Sequence, residues 1–435
     1  MRYASTRGQS PVTDIDLALE AGLAADGGLY VPMHIPQLAG AAPWPNLASA
    51  ATAILTPFFA HSRLRERLPE LCSEAFSFPA PLHRMHGEGD FLLELFHGPT
   101  AAFKDYAARF LAASLAALRD SAAPTRTIVV ATSGDTGAAV AAAFHRREGF
   151  RVVILYPQGR VSPRQAHGLE CWGDNIHTLR VTGSFDDCQR LAKTALSDSK
   201  LRARLPLGSA NSISLGRLLP QIAYYGHSAC AFFAEHGQRL NFIIPTGNLG
   251  NASAAFLARK MGLPIGDIHL ACNANDTLPR FFQGQDYAAQ ATRATLANAM
   301  DVGAPSNFER LRHWHGSDAE LREAFSASSS DDATIRAEIA AAPARHGIIP
   351  CPHTACGLAA LRTFRAAGDT RPWAVAATAH PAKFESIVEP LTGHSIPLPI
   401  ALAESLAHPA QGAPLANDYN ALRQWLLATC HDSRT

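Results

Sequence analysis

Short apolar segments alternate with segments of helical periodicity along most of this chain. Five of the apolar segments span residues 127–131, 152–156, 242–245, 269–272 and 374–378. They are largely apolar on both faces, as the strands of a buried parallel sheet require. Helical patterns such as 137–147 and 251–261 separate them. The alternation predicts an α/β fold with open, twisted, parallel-rich sheets flanked by helices, in which ligands bind at the carboxyl ends of strands.

The remaining segments differ from this pattern. A chain of 435 residues is too long for one core of ordinary size, so we expect two or three domains. The first eighty or so residues are rich in turns and prolines and are predicted to form a separate N-terminal unit. Residues 324–342 are predicted to be helical or mobile, and 397–414 to be a Pro/Ala-rich tail that leads into a last helix.

Composition narrows the classes of partner. Lys and Arg number 38 against 37 Asp and Glu, which leaves a net charge of +1 and no basic surface suited to nucleic acid or an anionic membrane. Small molecules are therefore the expected partners. No uninterrupted apolar run is long enough to span a bilayer, and residues 1–8 lack the apolar core of a signal peptide, so we expect a cytoplasmic protein.

Eight cysteines are scattered through the chain without closely spaced pairs that would form a disulfide framework. Free thiols are the expectation. Cys351 and Cys356, with His353 between them, invite a zinc interpretation, but a structural zinc site needs four ligands and no second cluster follows. We therefore predict no metal.

One lysine lies in an apolar, turn-bounded segment. Residues 91–96 have the composition of a strand, 97–100 that of a turn, and 104–118 that of an Ala-rich helix. Lys104 would begin the helix, where the helix dipole and apolar neighbours disfavour its charged form. A neutral amine can form a Schiff base with a carbonyl cofactor such as pyridoxal phosphate. The alternative is an ordinary, partly buried lysine paired with Asp105.

Two strand-to-helix turns have the composition of anion sites. The first, 131–138, offers hydroxyls and backbone N–H groups at a helix start that could bind a substrate carboxylate, although Ser133, Asp135 or Thr136 could also simply cap the helix. The second, 244–252, contains two glycines that let backbone N–H groups approach a phosphate. It has neither the lysine of a P-loop nor the spacing of a dinucleotide fingerprint, and a plain Gly/Asn turn is its alternative.

Two further positions carry weaker signals. Residues 211–217 place Asn, Ser and Arg within two helical turns, and an arginine there could bind a phosphate bidentately or could lie solvated beside a helix cap. Thr378 ends an apolar strand and would present a neutral hydroxyl at its carboxyl end.

Taken in order, these segments resemble the threonine synthase family, which comprises fold-type-II pyridoxal-phosphate enzymes related to the tryptophan synthase β subunit. The resemblance covers nearly the whole chain and is carried by residues 3–8, 26–32, 97–105, 132–137, 209–217, 245–251, 275–281 and 378–384. It implies an N-terminal domain over 1–82, a lysine-bearing small domain over 83–225, and a large domain with a C-terminal helical tail over 226–435.

The resemblance also implies roles for individual residues. Lys104 matches the catalytic lysine that holds pyridoxal 5'-phosphate as a Schiff base, and Thr378 matches the hydroxyl that faces the pyridine nitrogen. Asp135 stands where many relatives have an asparagine beside the phenolic oxygen of the cofactor, and an aspartate would repel the anion of that oxygen. The loop that binds the cofactor phosphate corresponds to Gly247, Asn248, Leu249, Gly250 and Asn251. Substrate-binding positions correspond to Ser133, Thr136, Asn211, Ser212 and Arg217.

The implied activity is that of a carbon–oxygen lyase acting on phosphates, which converts O-phospho-L-homoserine and water to L-threonine and phosphate as a monomer or homodimer. Ser214, where relatives often have Asn, and Cys351, where an acidic residue commonly stands, depart from the family pattern. A dehydratase, a cysteine synthase, or a non-catalytic relative that binds pyridoxal phosphate are the alternatives.

Overall fold

The computed structural model describes residues 1–38, 40 and 43–430. Their strands are β1 (Tyr3–Ser5), β2 (Tyr30–Pro32), β3 (Leu82–Arg84), β4 (Asp90–Glu94), β5 (Arg126–Ala131), β6 (Phe150–Pro157), β7 (Ile176–Val181), β8 (Leu207–Gly208), β9 (Leu240–Pro245), β10 (Ile265–Cys272), β11 (Ser326–Ser329), β12 (Trp373–Ala377) and β13 (Ala413–Leu415).

Helices connect these strands and cover the sheets. They are α1 (Ile15–Ala21), α2 (Leu47–Leu55), α3 (Leu68–Ala75), α4 (Lys104–Leu118), α5 (Asp135–Phe144), α6 (Pro163–Glu170), α7 (Phe185–Ser197), α8 (Ser199–Arg202), α9 (Leu215–Leu218), α10 (Ile222–His236), α11 (Gly250–Lys260), α12 (Thr277–Phe282), α13 (Phe308–Trp314), α14 (Asp318–Ala324), α15 (Asp332–His346), α16 (Pro352–Ala366), α17 (Glu385–Thr392), α18 (Ile400–Ala407) and α19 (Tyr419–Cys430).

Two sheets form the centre of the fold. The larger has the strand order β11-β10-β9-β12-β4-β3, and only its edge strand β3 is antiparallel to its neighbour. The smaller has the order β13-β7-β6-β5-β8 and is parallel throughout. Strands β1 and β2 form a separate antiparallel pair. The predicted α/β fold with parallel-rich sheets is confirmed.

All five apolar segments singled out in the sequence are strands, namely β5, β6, β9, β10 and β12. Residues 324–342 differ from the prediction, since they contain β11 before α15 begins. The strand is polar because it lies at the sheet edge, where parallel pairing with β10 satisfies its backbone. His269 adds two contacts to it, since its ring nitrogens lie 2.7 and 2.8 Å from the hydroxyls of Ser326 and Ser328.

The predicted Pro/Ala-rich tail is more ordered than its composition indicates. Within 397–414 the structure contains α18 and the start of β13, which adds an edge strand to the smaller sheet beside β7. The three-domain division stays a prediction. Strand β4, from the predicted small domain, pairs with β12, from the predicted large one. The last predicted domain ends in residues 431–435, which lie outside the described residues.

The buried surroundings of α4 hold the lysine-bearing helix in place. Eleven of its fifteen residues are buried, and it packs against α3, α5 and α9. Phe110 is fully buried, and its ring meets that of Phe59 edge-on at 5.8 Å. All eight cysteines are buried, and the seven that precede Cys430 in the chain are free thiols. Among the described residues, no helix combines the length and apolar character needed to cross a membrane.

Truncation of Phe110 tests this packing. We expect Phe110→Ala to lower the free energy of unfolding by about 3 to 5 kcal/mol, because it removes a fully buried ring from a packed interface. Phe233→Ala is the matched control, since that helical phenylalanine is 45% exposed and its loss should cost within about 0.5 kcal/mol. Urea denaturation followed by circular dichroism measures both, and equal losses would contradict the assignment of Phe110 to the core.

Candidate active site

The lysine-bearing loop is attached to the end of β12 by backbone hydrogen bonds. Leu95 N–H donates to Ala377 O at 3.0 Å, Phe103 N–H donates to Thr378 O at 2.9 Å, and His380 N–H donates to Ala101 O at 3.0 Å. Lys104 follows at once as the first residue of α4, where the sequence predicted it. These bonds fix Lys104 and Thr378 on the same edge of the larger sheet, although the two residues are far apart in the chain.

The side chain of Lys104 is largely enclosed. It is 15% exposed, and its Nζ lies 4.8 Å from the centre of the Phe103 ring and 3.7 Å from Asp135 Oδ2. Burial lowers the pKa of Lys104, and the charges of Lys383 and Arg217 act in the same direction, while Asp135 opposes them. Lys104 therefore loses its proton more readily than an exposed lysine, which suits a Schiff-base lysine.

Asp135, the first residue of α5, has a closer partner than Lys104. Lys383 Nζ lies 2.7 Å from Asp135 Oδ1 and also donates to Thr100 O at 2.7 Å. Gln165 Nε2 donates to the same carboxylate oxygen at 3.2 Å. Burial alone would raise the pKa of Asp135, but Lys383 and Lys104 outweigh burial and hold it well below its usual range.

Sequence reasoning missed Lys383. An aspartate at position 135 would repel the phenolic anion of the cofactor, and no local pattern in the sequence indicates a compensating charge. Lys383 supplies that charge from a 3-10 turn over Pro381–Phe384, with a side chain only 4% exposed. A lone lysine within the mostly apolar segment 381–384 was the available signal, although nothing local identifies its partner.

The loop before α5 keeps its proposed carboxylate-binding side chains accessible. Ser133 and Thr136 are half-buried, whereas Thr132 is buried and accepts hydrogen bonds from the backbone N–H groups of Gly134 and Gly137. Thr132, and not the three residues named from the sequence, therefore makes the side-chain bonds that shape this helix start. Ser133 and Thr136 remain predicted contacts of the substrate carboxylate.

The glycine-rich turn between β9 and α11 forms a tight backbone cradle. Leu249 has a left-handed backbone with φ 62°, and a Cβ atom placed on Gly247 would lie 2.8 Å from Met300 Cα. Gly247 therefore allows close approach of two backbone segments. Asn251 Oδ1 accepts from Tyr224 Oη at 2.5 Å, while its buried Nδ2 has no hydrogen-bond partner among the described residues.

The segment at 211–217 lies against this turn. Asn248 Nδ2 donates to Ser212 Oγ at 2.7 Å, which joins the two proposed phosphate sites directly. Arg217 is buried and donates one guanidinium nitrogen to Ala210 O at 2.6 Å, while its buried Nε has no partner among the described residues. Burial lowers the pKa of Arg217 to about 10. The interpretation of Arg217 as a solvated surface arginine is therefore wrong.

Two buried residues that the sequence did not indicate hold these segments together. Asn307 Nδ2 donates to Asn248 O at 2.9 Å, and its Oδ1 accepts from Arg310 Nη1 at 2.6 Å. Arg310 also donates to Ile213 O at 2.6 Å and to Tyr30 O at 3.1 Å. Both residues are fully buried. They connect the N-terminal strand pair to the proposed phosphate sites.

The two departures from the family pattern have structural roles. Ser214 is buried and caps α9 by accepting from Gly216 N–H at 3.3 Å. Cys351 caps α16, where its Sγ accepts from Thr354 N–H at 3.5 Å and lies 3.7 Å from His353 Nδ1. The described residues contain no group of three or more side chains arranged to hold a metal ion.

The residues present fit pyridoxal phosphate. The buried lysine with a lowered pKa follows β4, and the glycine cradle, whose Asn251 has an unpartnered amide nitrogen, follows β9. Strand β12 lies between these two strands and is followed at once by Thr378. Amide and backbone donors at a helix start suit a phosphate. The fold and the site together define a pyridoxal-phosphate-dependent enzyme of fold type II.

Comparison with known families narrows this class. The family model described as pyridoxal-phosphate dependent enzyme matches residues 79–381. Models of the threonine synthase N terminus and of the threonine synthase C-terminal region match residues 2–76 and 354–426. Together they account for most of the chain.

Individual relatives agree over nearly the full length. The chain is 39% identical to a threonine synthase of Serratia marcescens, with 94% of this chain and 95% of the relative covered. The crystal structure of threonine synthase from Escherichia coli superposes with a TM-score of 0.89 at 35% identity, covering 98% of this chain and all of that one. Pyridoxal-phosphate-bound threonine synthase from Brucella melitensis gives 0.90 at 34% identity, with both chains fully covered. The chain belongs to the threonine synthase family.

A methyl group at position 247 tests the glycine cradle. We expect Gly247→Ala to weaken binding of pyridoxal phosphate about tenfold, because the added Cβ would meet the backbone at Met300 and force the turn open. Gly168→Ala is the control, since a Cβ there meets nothing within 4 Å. Fluorescence titration of the apoprotein with the cofactor measures both, and unaltered affinity in Gly247→Ala would exclude the cradle as the phosphate site.

Proposed function

We propose that this chain catalyses the conversion of O-phospho-L-homoserine and water to L-threonine and phosphate, with Lys104 as its catalytic residue. The observation that carries this proposal is the position of Arg217, a buried guanidinium with an unpartnered Nε in the segment that the Asn248–Ser212 hydrogen bond joins to the glycine cradle. Membership of the threonine synthase family supports the same reaction. A lyase whose substrate carries no phosphate has no need of a buried arginine there.

Cofactor binding is proposed to use two neighbouring strand ends and one covalent attachment. The turn at Gly247, Asn248, Leu249, Gly250 and Asn251 would hold the phosphate, Lys104 the aldehyde carbon, and Thr378 the pyridine nitrogen. Pyridoxal phosphate, when bound, supplies an electron sink that stabilises a carbanion next to the substrate nitrogen. Asp135 would lie beside the phenolic oxygen, where Lys383 balances its charge.

Substrate binding is proposed to place the carboxylate and the phosphate at opposite ends. Ser133 and Thr136, half-buried at the start of α5, would donate to the carboxylate. Asn211, Ser212 and Arg217 would hold the phosphate, and the unpaired buried Nε of Arg217 is free to donate to it. The reacting carbons would then lie within reach of Lys104.

Lys104 is proposed to move the protons. Once the substrate amine takes the place of Lys104, the freed amine of Lys104 would take a proton from Cα, pass it to the electron sink that bound pyridoxal phosphate would supply, and then take a second proton from Cβ. Phosphate leaves from Cγ, where a proton is added to give the methyl group of the product. Water adds at Cβ, a proton returns to Cα, and the amine of Lys104 releases threonine as it regains its original position. The lowered pKa of Lys104 suits a base that must be neutral before each proton transfer.

Other activities of fold-type-II enzymes fit the site less well. A dehydratase of serine or threonine, or a cysteine synthase, handles substrates without a second phosphate to bind. A regulator that binds pyridoxal phosphate without catalysis would not require a buried lysine with a lowered pKa. The presence in one site of a buried lysine and of a buried Arg217 with an unpartnered Nε favours a phosphorylated amino-acid substrate.

Product stoichiometry tests the reaction. Purified protein with pyridoxal phosphate should release phosphate and L-threonine in equal amounts from O-phospho-L-homoserine, and Lys104→Ala should reduce the rate by about 100-fold or more because the base is lost. Lys193→Ala, at an exposed position, should retain the parent rate. Phosphate without threonine would indicate a lyase that fails to add water. The absence of both products would contradict the proposal.

Replacing the guanidinium at position 217 by an ammonium group tests phosphate recognition. We expect Arg217→Lys to lower kcat/KM for O-phospho-L-homoserine by about 10- to 100-fold, because the paired donors of the guanidinium are lost while a positive charge is kept. Arg202→Lys, which changes an exposed arginine, is the matched control. Steady-state kinetics measure both. A specificity constant unchanged from that of the parent would exclude Arg217 from substrate binding.

A further inference from the structure

We propose that Lys383 is a positioning residue for this reaction, because it binds the carboxylate of Asp135 at the shorter distance and so weakens the ion pair between Asp135 and the amine of Lys104. This inference rests on the proposed function, since it concerns the lysine that the function uses as its base. Lys383 itself would touch neither the substrate nor the reacting atoms. It would act through Asp135.

The distances separate the two lysines clearly. Asp135 Oδ1 lies 2.7 Å from Lys383 Nζ, within hydrogen-bond range, whereas Asp135 Oδ2 lies 3.7 Å from Lys104 Nζ. All three side chains are largely buried. The carboxylate is shared between the two lysines, and its short, charge-assisted hydrogen bond, the stronger of the two interactions, is made with Lys383.

Lys383 is held in this position from both ends. Its Nζ donates to Thr100 O at 2.7 Å, and its backbone O accepts from Ser162 Oγ at 2.8 Å. Gln165 holds the opposite partner, because its Nε2 donates to Asp135 Oδ1 at 3.2 Å, and Asn298 Nδ2 in turn donates to Gln165 Oε1 at 3.0 Å. The ion pair between Asp135 and Lys383 is therefore part of a hydrogen-bond network, and both of its side chains are buried.

The ion pair between Asp135 and Lys383 affects the protonation of Lys104, because other charged groups lie around both residues. The titratable groups that interact with Lys104 or Asp135 from the packed elements are Lys383, Arg217, His353 and Cys351. Asp105 in turn interacts with Arg217 and Lys383. With Lys383 present, its positive charge offsets part of the effect of Asp135 on the pKa of Lys104. Without it, Asp135 would be a buried anion whose nearest remaining cation is Lys104. An opposite charge that close stabilises the protonated amine and removes the base.

Three variants of the full-length holoenzyme test the inference, and the quantity measured is the pH midpoint of a change in the visible absorbance of the cofactor. The visible absorbance of pyridoxal phosphate bound to Lys104 changes when the nitrogen that joins them loses its proton. We expect Lys383→Met to raise the pH midpoint of this change by about 1 to 3 units, because Asp135 is left unbalanced. Asp135→Asn should lower the midpoint, because Lys383 is left unbalanced. The double variant should return close to the parent value.

The opposite signs and the rescue distinguish positioning from a structural role. Lys193→Met, at an exposed site, should leave the midpoint unchanged. A Lys383→Met midpoint that is unchanged or lower, or a double variant that does not return toward the parent, would overturn the inference, as would loss of stability alone. The titration uses no substrate, so it remains interpretable if no threonine is formed and the proposed function fails.

A second readout covers variants that lose the cofactor. The pH dependence of reductive methylation of Lys104, followed by peptide mass analysis of the apoprotein, reports the pKa of its free amine. We expect the pKa of the Lys104 amine to be higher in Lys383→Met than in the parent and lower in Asp135→Asn. Coincident curves for the parent and both single variants would overturn the inference without any cofactor being bound.

Discussion

The parallel pairing of β4 with β12 is the interaction on which the site depends. The pairing runs from Asp90 opposite Trp373 to Glu94 opposite Ala377, and backbone bonds continue it into both following loops. Strand β12 also pairs with β9 on its other side. The lysine-bearing loop, Thr378 and the glycine cradle therefore follow three adjacent parallel strands, whose carboxyl ends lie at one edge of the sheet.

Burial of charge at this edge imposes a second constraint. Lys104, Asp135, Lys383 and Arg217 are all largely withdrawn from solvent, and an isolated buried charge is strongly unfavourable. Asp135 and Lys383 reduce the free-energy cost of burial by forming an ion pair. Lys104 reduces it by losing its proton more readily. The same burial thus stabilises an ion pair at one position and favours a neutral base 3.7 Å from it.

Local patterns predicted the features that depend on local interactions. Apolar runs identified β9, β10 and β12, and the turn before Lys104 placed the start of α4 correctly. The polar strand β11 was missed because its stability comes from pairing with β10, which no local pattern encodes. Lys383 was missed for the same reason, since its importance lies in a partner from a distant segment. The roles named for Asn211, Ser133 and Thr136 stay predictions.

The two proposed phosphate sites are coupled by a hydrogen bond between their own residues and by two buried residues, Asn307 and Arg310, that have no proposed ligand. Asn248 donates to Ser212, and Asn307 donates to the backbone O of Asn248 and, at 3.4 Å, to that of Ser212. Arg310 then fixes Asn307 and Ile213 from a fully buried position. Neither segment can shift alone without breaking several of these bonds. The distance between the two sites is therefore set by the protein before a ligand binds, which favours one length of substrate over shorter or longer ones.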